Sequence, residues 1–556
     1  MRKEQTNMLK DGKILIGKSG TNEIFLDPAM ANRHGMIAGA TGTGKTVSLK
    51  VLAESFADAG VPVFLADIKG DLGSLAQEGV DESHVVERVN SMNLAADGYA
   101  YRKYPVSFWD VYGEKGMPLR TTVSEMGPLL LARVLGINEL QTDILSVVFK
   151  IADDNGMLLI DTKDLKAMLN YADENSKEFA PMYGNIAPSS IAAITRAVVS
   201  LESQGADLFF GEPALNITDM LQQENGQGMI SVLDCRKLIL NPDMYSTFLL
   251  WMLSELYEML PEVGDCDKPK MVFFFDEAHM LFDHASKDLL ARIEQTVKLI
   301  RSKGVGIFFV TQNPGDIPDG IMSQLGNKIQ HALHAYSPNE LRQVKAAADT
   351  YRSNPEFDTA EAIQNLATGE AIISTLDADG VPGMVQRCYI LPPQSFNGAC
   401  DDTLRDSLIK GSLLYARYAN AVDRDSAYEF LQRMGMEAQA AAQREAEEKE
   451  AAKAQAIADR EAAKQQAAEE REAARQQAAE EREAARQQAA AEREAAREAQ
   501  KRKTEAGRVA KAVTGTVGRQ IGKTIGKTVG GTFGQTLGGN LGSQLGRSIL
   551  GTLFKF

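Results

Sequence analysis

Residues 39–46 have the types and spacing needed to hold a nucleotide. They read Gly-Ala-Thr-Gly-Thr-Gly-Lys-Thr and match G-x-x-x-x-G-K-[ST], a pattern typical of loops that wrap phosphates. Glycines let the backbone turn tightly and point its N–H groups inward, and the following helix start adds partial positive charge. Lys45 is expected to reach the β- and γ-phosphates of ATP, and the Thr46 hydroxyl to ligate Mg²⁺. The residues predicted to surround the phosphates are Gly39, Ala40, Thr41, Gly42, Thr43, Gly44, Lys45 and Thr46.

A second signal is an acidic pair, Asp276 and Glu277, which directly follows three phenylalanines. Apolar residues would bury such a strand, and Asp276 at its carboxyl end could hold the Mg²⁺ that bridges the phosphates. Glu277 is placed to polarise the attacking water as a general base. Together with the phosphate loop, this pair predicts ATP hydrolysis that depends on Mg²⁺. His279 completes the Asp-Glu-Ala-His box of one helicase class, but the other motifs of that class are not apparent, which favours a structural role.

Two more polar residues flank the next predicted strand, 306–310. Gln312 at its end could sense the γ-phosphate or orient the water, and the alternative is an amide that caps the strand. Arg301 closes the preceding helix and could be an arginine finger that reaches the nucleotide of a neighbouring subunit. Compensation of the helix dipole explains Arg301 equally well, so both interpretations stay open. Arg292 is a weaker candidate for the finger.

Other polar and aromatic residues near these motifs have simpler explanations. Asp67 ends a predicted strand and could join the outer shell of the metal or cap a turn, and both stay open. His34 precedes the phosphate loop, where a packed or surface histidine is favoured over a nucleotide contact. Trp109 and Trp251 lie in apolar settings that predict core packing.

The elements around these motifs predict an α/β fold. A strand ends at 36–38, a helix opens at 47–52 and a buried strand follows at 61–67, which is the βαβ order of a mostly parallel sheet. Runs at 13–16 and 23–26 flank Gly17-Lys18-Ser19-Gly20 and predict a hairpin. Helical spacing dominates after residue 124. Further strands are predicted at 229–233, 271–275, 306–310, 329–334, 371–376 and 384–390.

The chain therefore has an expected organisation in seven parts. These are an N-terminal hairpin over 1–30, a first core part over 31–123, a helical insertion over 124–226, a second core part over 227–398, a helical segment over 399–436, a long charged helix over 437–503 and a basic glycine-rich tail over 504–556.

The last two parts have repetitive sequences. Residues 437–503 are mainly Ala, Glu, Arg and Gln, and an eleven-residue unit at 468–478 recurs from residue 479. Because the apolar positions are nearly all Ala, a solitary charged helix is favoured over a coiled coil. In 504–556 glycine recurs every fourth residue after an apolar one, and such small-residue stripes need a partner surface to form a helix. This basic tail could bind anionic lipid, nucleic acid or a protein, or be a flexible low-complexity segment.

Composition narrows the class of protein. The net charge of −15 argues against a surface that binds nucleic acid indiscriminately. Four scattered cysteines predict neither a zinc site nor a disulfide scaffold. The N-terminus lacks the apolar segment of a signal peptide, and no uncharged apolar run reaches ~20 residues. The expected location is the cytoplasm, with peripheral membrane association through 504–556 as an option.

Four segments together resemble the HerA branch of the FtsK–HerA superfamily of ATP-driven DNA pumps: 33–46, 67–71, 275–279 and 311–314. Segments 119–128 and 548–554 are similar to a bacterial HerA-like group with a short N-terminus. The resemblance implies a RecA-like P-loop core, hexameric rings with nucleotide between subunits, and DNA threaded through the pore.

The family's site residues carry over where the motifs match. The resemblance implies that Lys45 and Thr46 bind phosphate and Mg²⁺, that Asp276 binds Mg²⁺, and that Glu277 is the base. It also implies that Gln312 is the sensor and Arg301 the finger. HerA proper has an N-terminal β-barrel that docks a nuclease, and about 30 residues before the loop are too few for it, so a nuclease partner is not expected.

Three hypotheses about function follow from these features. The first is a ring ATPase that translocates on DNA. The second is a ring ATPase that moves protein or works at a membrane, as the related type IV secretion ATPases do. The third is a scaffold in which ATP controls only assembly.

Overall fold

A computed structural model describes residues 8–433, except residue 265 and residues 284–286, and also Gln455. The chain divides into two compact units, Met1–Arg444 and Glu445–Phe556. Apart from Gln455, the predicted charged helix over 437–503 and the predicted tail over 504–556 lie outside the described residues.

The first unit is built on one sheet of 13 strands, and a separate hairpin pairs β8 with β9. The strands are β1 (Leu9–Lys10), β2 (Lys13–Ser19), β3 (Asn22–Leu26), β4 (Gly35–Ala38), β5 (Val63–Asp67), β6 (Val106–Asp110), β7 (Met117–Pro118), β8 (Gln223–Glu224), β9 (Gln227–Gly228), β10 (Ile230–Asp234), β11 (Met271–Phe275), β12 (Val305–Thr311), β13 (Asn327–Gln330), β14 (Glu370–Ser374) and β15 (Gln386–Ile390).

Most helices lie between these strands in the chain, and three follow the last strand. They are α1 (Lys45–Asp58), α2 (Ser83–Ser91), α3 (Val123–Val134), α4 (Glu139–Asp154), α5 (Thr162–Glu174), α6 (Ser176–Tyr183), α7 (Pro188–Glu202), α8 (Ala206–Phe209), α9 (Pro242–Met259), α10 (His279–Phe282), α11 (Lys287–Ile300), α12 (Asp319–Met322), α13 (Pro338–Asp349), α14 (Thr359–Gln364), α15 (Asp402–Gly411), α16 (Tyr415–Tyr418) and α17 (Ala427–Leu431).

The sheet is mostly parallel, as the sequence predicted. Its strands run in the order β1-β2-β15-β14-β13-β4-β12-β11-β5-β10-β6-β7, with β3 on β2. From β13 to β7 every neighbouring pair is parallel. From β13 to β1 the neighbours are antiparallel, and so is the β2–β3 pair. The carboxyl ends of the parallel strands therefore meet at one edge of the sheet, which we call the carboxyl edge.

Hydrophobic layers cover both faces of the sheet, which explains the continuous apolar runs in its central strands. All five residues of β11 are buried. Phe273 and Phe275 pack into the layer that holds α9, and Val272 and Phe274 into the layer that holds α1. This alternation is the period of a strand, and it determines which face of the sheet each side chain of β11 meets.

The predicted helical stretch forms α3–α8, between β7 and β8 in the chain. Its buried residues belong to the same core as one face of the sheet. Trp109 and Trp251 lie in that core at 0% and 1% exposure, so their predicted packing role is confirmed. The four cysteines are unpaired, as expected. No helix within the described residues has the length and apolar character needed to span a bilayer.

The predicted hairpin near the N-terminus forms, but its turn differs from the expected one. Strand β2 continues through Gly17 to Ser19, and the turn lies at Gly20 and Thr21. Gly17 instead lies where β15 approaches, because a Cβ atom there would come within 2.4 Å of the Tyr389 carbonyl oxygen. A close approach between strands, and not a turn, requires this glycine.

Candidate nucleotide site

The predicted phosphate loop connects β4 to α1 at the carboxyl edge. Gly39, Gly42 and Gly44 adopt φ values of 155°, 79° and 118°, which favour glycine. A Cβ atom on Gly39 would lie 2.5 Å from the Cβ of His331. Backbone conformation and close packing therefore both require glycine in this loop.

Neighbouring elements hold the loop from both sides. The Gly39 N–H donates to the Thr311 carbonyl oxygen at 3.2 Å, and the Ala40 N–H donates to that of Ala332 at 2.8 Å. On the far side, the Gly369 N–H donates to the Thr43 carbonyl oxygen at 3.0 Å. The loop is thus fixed by β12, by the segment after β13 and by the residue before β14.

Lys45 is the first residue of α1, and its ammonium group lies inside the loop. Its Nζ donates to the carbonyl oxygens of Gly39 at 2.5 Å and Ala40 at 3.1 Å. Burial lowers the pKa of Lys45, the charge of Glu277 opposes that shift, and the charge of Lys69 adds to it. Thr46 follows in the first turn of α1 and is half-buried. A lysine held by two carbonyl oxygens can turn to a phosphate without unfolding the loop.

Asp276 directly follows β11 at the same edge. Burial raises its pKa to about 7, and the neighbouring charge of Glu277 adds to the rise. The positive charges of Lys69 and Lys45 act in the opposite direction. The Tyr245 hydroxyl donates to the Asp276 carbonyl oxygen at 2.8 Å and fixes the backbone. A buried carboxylate beside a second one is a site that a divalent cation would stabilise.

Glu277 has a left-handed backbone with φ of 47°, which is uncommon for a residue other than glycine. Its carboxylate accepts hydrogen bonds from Gln312 Nε2 at 3.2 Å to each oxygen. Gln312 Oε1 in turn accepts from the Thr41 hydroxyl at 3.4 Å. His279 Nδ1 lies 3.5 Å from Glu277 Oε2. Gln312 therefore connects the phosphate loop to the acidic pair.

Asp67 and His34 have structural roles near the site. The Asp67 carboxylate accepts backbone N–H groups of residues 70–73 at 2.7–3.3 Å, which supports the turn-capping interpretation. Burial raises its pKa to about 6. His34 is packed, as favoured: its Nδ1 accepts from the Ile307 N–H at 3.1 Å, and its Nε2 donates to the Val297 carbonyl oxygen at 2.8 Å.

Arg301 does not join the cluster around Lys45. It begins a short 3-10 helix that precedes β12, whereas Gln312 follows β12. The seven residues Val305–Thr311 separate the two ends of this strand by ~20 Å at about 3.3 Å per residue. Arg301 therefore lies at the amino edge of the sheet, far from the phosphate loop of its own chain. Arg292 is exposed on α11.

Two residues that the sequence analysis did not single out also shape the site. Lys69 acts electrostatically on both Lys45 and Asp276, and its position after β5 in Asp-Ile-Lys-Gly-Asp was an available signal. His331 has Nδ1 2.9 Å from the Glu370 carbonyl oxygen, to which it donates, and Nε2 2.7 Å from Ser48 Oγ, from which it accepts. No local pattern marks His331, because its partners are far away in sequence.

The neutral state of His331 predicts a pH effect on stability. Burial lowers its pKa to about 4, below the value of 6.5 for an exposed histidine. The neutral form therefore contributes roughly 3 kcal/mol of stability above pH 6.5, which is lost as the pH falls toward 4. We expect His331→Gln to lower the melting temperature at pH 7.5, and this deficit to narrow steadily down to pH 4.5. A deficit independent of pH in paired thermal melts would contradict this assignment.

The donors at the carboxyl edge suit Mg²⁺ and ATP. The Thr46 hydroxyl and the Asp276 carboxylate are oxygen ligands of the kind Mg²⁺ prefers, and Mg²⁺ usually binds one or two of these together with phosphates. Lys45 and the backbone N–H groups of the loop suit the triphosphate. The Glu277 carboxylate lies beside both sets.

A glycine-lined loop between a parallel strand and a helix, with an acidic pair after another strand at the same edge, defines a P-loop ATPase. The family model described as "Helicase HerA-like C-terminal" matches residues 13–481. The chain belongs to this HerA-like family of the FtsK–HerA superfamily.

Similar proteins include two that are each named DNA double-strand break repair helicase HerA. The protein from Sulfurisphaera tokodaii is 22% identical over 376 residues, 66% of this chain and 68% of its own length. The one from Sulfolobus acidocaldarius is 32% identical over 99 residues, 18% of this chain and 19% of its own length.

Among solved structures, the unbound conjugative coupling protein TrwB is similar at 15% identity, with a TM-score of 0.45 over 68% of this chain and 89% of its own. VirB4 of Thermoanaerobacter pseudethanolicus is similar at 15% identity, with a TM-score of 0.45 over 69% of this chain and 97% of its own.

Proposed function

We propose that this protein is a Mg²⁺-dependent ATPase that assembles into a ring and uses hydrolysis to move or remodel DNA. One observation carries the catalytic part of the proposal. The residues after β4, β11 and β12 meet at the carboxyl edge, where Gln312 contacts both the phosphate loop and Glu277. Such a set of groups is what phosphoryl transfer to water requires.

Each residue has a distinct role in the proposed reaction. Lys45 leaves the loop carbonyl oxygens for the β- and γ-phosphates, and Thr46 and Asp276 would hold Mg²⁺. When bound, Mg²⁺ neutralises charge that develops on the phosphates. Glu277 accepts a hydrogen bond from the attacking water and takes up its proton at a carboxylate oxygen. Gln312 donates to the same carboxylate and keeps it directed at the water.

If Arg301 is an arginine finger, its position requires assembly of several copies. It lies ~20 Å from the carboxyl edge of its own chain (Val305–Thr311 at about 3.3 Å per residue), so it can reach a nucleotide only on another copy. Head-to-tail contacts that close into a ring place one edge of a subunit against a different edge of the next. We therefore propose that Arg301 completes the site of a neighbour in a hexamer and stabilises charge in the transition state.

DNA is the proposed substrate because both of these relatives are named DNA double-strand break repair helicase. The alternative is a ring ATPase that acts on protein or at a membrane, with residues 504–556 as the contact. The net charge of −15 requires DNA contacts to be concentrated in a locally basic channel.

The test is ATP turnover measured with duplex DNA, with single-stranded DNA and without DNA, across a series of salt concentrations. We expect at least one form of DNA to raise turnover several-fold, and this stimulation to fall as salt rises, because phosphate contacts release counterions. The Glu277→Gln protein, purified in parallel, reports contaminating ATPase. A contrary result would be turnover that neither form of DNA changes but that anionic vesicles raise. If this increase is lost when residues 504–556 are removed, the proposed substrate is a membrane and not DNA.

A further inference from the structure

His34 has an unfavourable backbone conformation directly before β4, the strand that leads into the phosphate loop. Its φ and ψ are 56° and 173°, a region that suits glycine and that other residues adopt only where their surroundings impose it. The residue is only 2% exposed. Because glycine would fit this backbone without strain, the case for histidine at this position rests on the contacts of its imidazole ring.

The backbone of His34 is fixed by Asn327, the first residue of β13. The His34 carbonyl oxygen accepts hydrogen bonds from the Asn327 backbone N–H at 3.1 Å and from Asn327 Nδ2 at 3.0 Å. The same Nδ2 donates to the Met30 carbonyl oxygen at 3.0 Å, and Asn327 is 2% exposed. This buried amide keeps the left-handed conformation in place and therefore also sets the direction of the imidazole ring.

The imidazole ring of His34 joins β12 to the last turn of α11. The ladder between β4 and β12 begins at Gly35 and Phe308. The ring extends this ladder, because its Nδ1 accepts from the Ile307 N–H at 3.1 Å. Its Nε2 donates to the Val297 carbonyl oxygen at 2.8 Å, and carbonyl oxygens in the last turn of a helix are commonly satisfied from outside the helix. One side chain therefore holds β4, β12 and the end of α11 together.

The last turn of α11 leads directly to Arg301. Val297 and Arg301 are one helical turn apart, about 6 Å along the axis at ~1.5 Å per residue. Burial lowers the pKa of His34 to about 4, the hydrogen bond to Val297 opposes this shift, and the positive charge of Arg301 adds to it. The ring is therefore uncharged at neutral pH, and the guanidinium group lies close enough to act on it electrostatically.

The other end of β4 is the phosphate loop. This strand is four residues long and buried throughout, and Gly39 follows it immediately. Its ends are ~13 Å apart at about 3.3 Å per residue. The Val263 N–H also holds the region around Arg301, because it donates to the Ser302 carbonyl oxygen at 2.8 Å, but Val263 belongs to the segment before β11. The contact of His34 is thus the one that comes from the phosphate-loop strand.

We propose that His34 is a positioning residue that places Arg301 for the nucleotide of a neighbouring subunit. It acts through the end of α11 and touches no nucleotide itself. Because it directly precedes β4, it ties the place of the arginine to the strand that holds the phosphate loop of its own subunit. This inference rests on the proposed ring ATPase, in which Arg301 completes the site of a neighbour.

His34→Asn tests this connection in the full-length protein. Asparagine tolerates the left-handed conformation, and its Oδ1 can accept from the Ile307 N–H as Nδ1 does, but it is too short to reach Val297. We expect the variant to bind ADP with Mg²⁺ as the natural protein does. It should hydrolyse ATP about 10- to 100-fold more slowly, since a small misplacement of a catalytic group can cost this much.

Two further variants accompany His34→Asn. His34→Gln places its amide nitrogen near the position of Nε2, so it should recover most of the lost turnover. His84→Asn makes the same change at an exposed position on α2, and it should change neither ADP binding nor turnover.

Mixed assemblies of two variants, formed by dissociation and reassembly, identify which part of the site His34→Asn damages. Lys45→Ala has a placed arginine but no working phosphate loop, so mixing it with His34→Asn should raise turnover well above the sum of the separate proteins. With Arg301→Ala, turnover should stay at that sum, because neither chain supplies a placed arginine to the other. A general weakening of the fold would not produce this difference between the two mixtures.

The contrary outcomes separate this inference from the proposed function. Natural turnover by His34→Asn would overturn the inference. So would a mixture with Lys45→Ala that gains nothing, or a gain with Arg301→Ala instead, which would show that the histidine supports its own phosphate loop. If Lys45→Ala and Arg301→Ala form mixed assemblies without any gain, the assignment of Arg301 is wrong, and the inference falls with it. If His34→Asn does not fold, His34→Gly, which fits the backbone without strain, must show the same pattern.

Discussion

Glu277→Gln is expected to bind ATP with nearly natural affinity and to hydrolyse it at least ~100-fold more slowly, the usual minimum effect of losing a general base. The change keeps the size of the side chain but removes the group that takes up the proton of the attacking water. The phosphate contacts through Lys45 are untouched, so binding should survive. Single-turnover hydrolysis and equilibrium binding of ATP, measured on the same preparation, separate the two effects.

The control for Glu277→Gln is Glu139→Gln, which removes the same charge from an exposed position at the start of α4. It should hydrolyse ATP at the natural rate. Normal turnover by Glu277→Gln would remove Glu277 as the base. Loss of ATP binding would instead show that the carboxylate supports the loop, since the negative charge of Glu277 favours the charged form of Lys45.

Two inactive variants are expected to restore each other when mixed. Lys45→Ala lacks a working phosphate loop, and Arg301→Ala lacks the group that we propose to act on a neighbour. In a ring assembled from equal amounts, about a quarter of the interfaces would join an intact loop to an intact arginine. Turnover should then rise well above the sum of the two separate proteins, once subunits have exchanged. The measurement is ATPase activity before and after dissociation and reassembly of the mixture.

The matched control for the mixed rings pairs Lys45→Ala with Glu277→Gln. In the proposed site, Lys45 and Glu277 come from the same subunit, so a subunit of either variant lacks one of the two. No interface therefore gains a complete site, and turnover should stay at the level of the separate proteins. If Lys45→Ala and Arg301→Ala form mixed assemblies and still do not hydrolyse ATP, Arg301 acts within its own chain or supports the fold. The dipole interpretation of Arg301 would then be preferred.

Short-range patterns predicted the central features of the site. Residues 39–46 are contiguous, so their spacing reports the loop directly, and the apolar run 271–275 predicts both its own burial and the exit of Asp276 at its end. The carboxyl ends of parallel strands lie at one edge of a sheet. The proximity of Gln312 to the acidic pair therefore also followed from the βαβ order. Local sequence is informative here because each motif lies at the end of one strand.

Features that depend on distant pairing could not be predicted in this way. Gly17 resembles a turn residue in sequence, yet β15, far along the chain, explains it. Strand β6 was missed although all five of its residues are buried, because a short apolar run does not by itself distinguish a strand from a helix. His331 acquires its partners only when β13 pairs beside the loop before α1 and beside β14. Arg88 meets Tyr389 only when β15 folds back beside β14. No pattern of local period contains that information.

Strand β12 has a consequence for how the proposed ring would work. It is fully buried over its whole length, with Arg301 four residues before its first residue and Gln312 directly after its last. A buried strand that is paired with β4 on one side and with β11 on the other cannot stretch or bend easily, so it behaves as a stiff rod. In the proposed ring, Arg301 at one end of this rod contacts the ATP of a neighbouring subunit, and Gln312 at the other end contacts the site of its own subunit. Such a linkage favours sequential ATP hydrolysis around the ring over independent hydrolysis in each subunit.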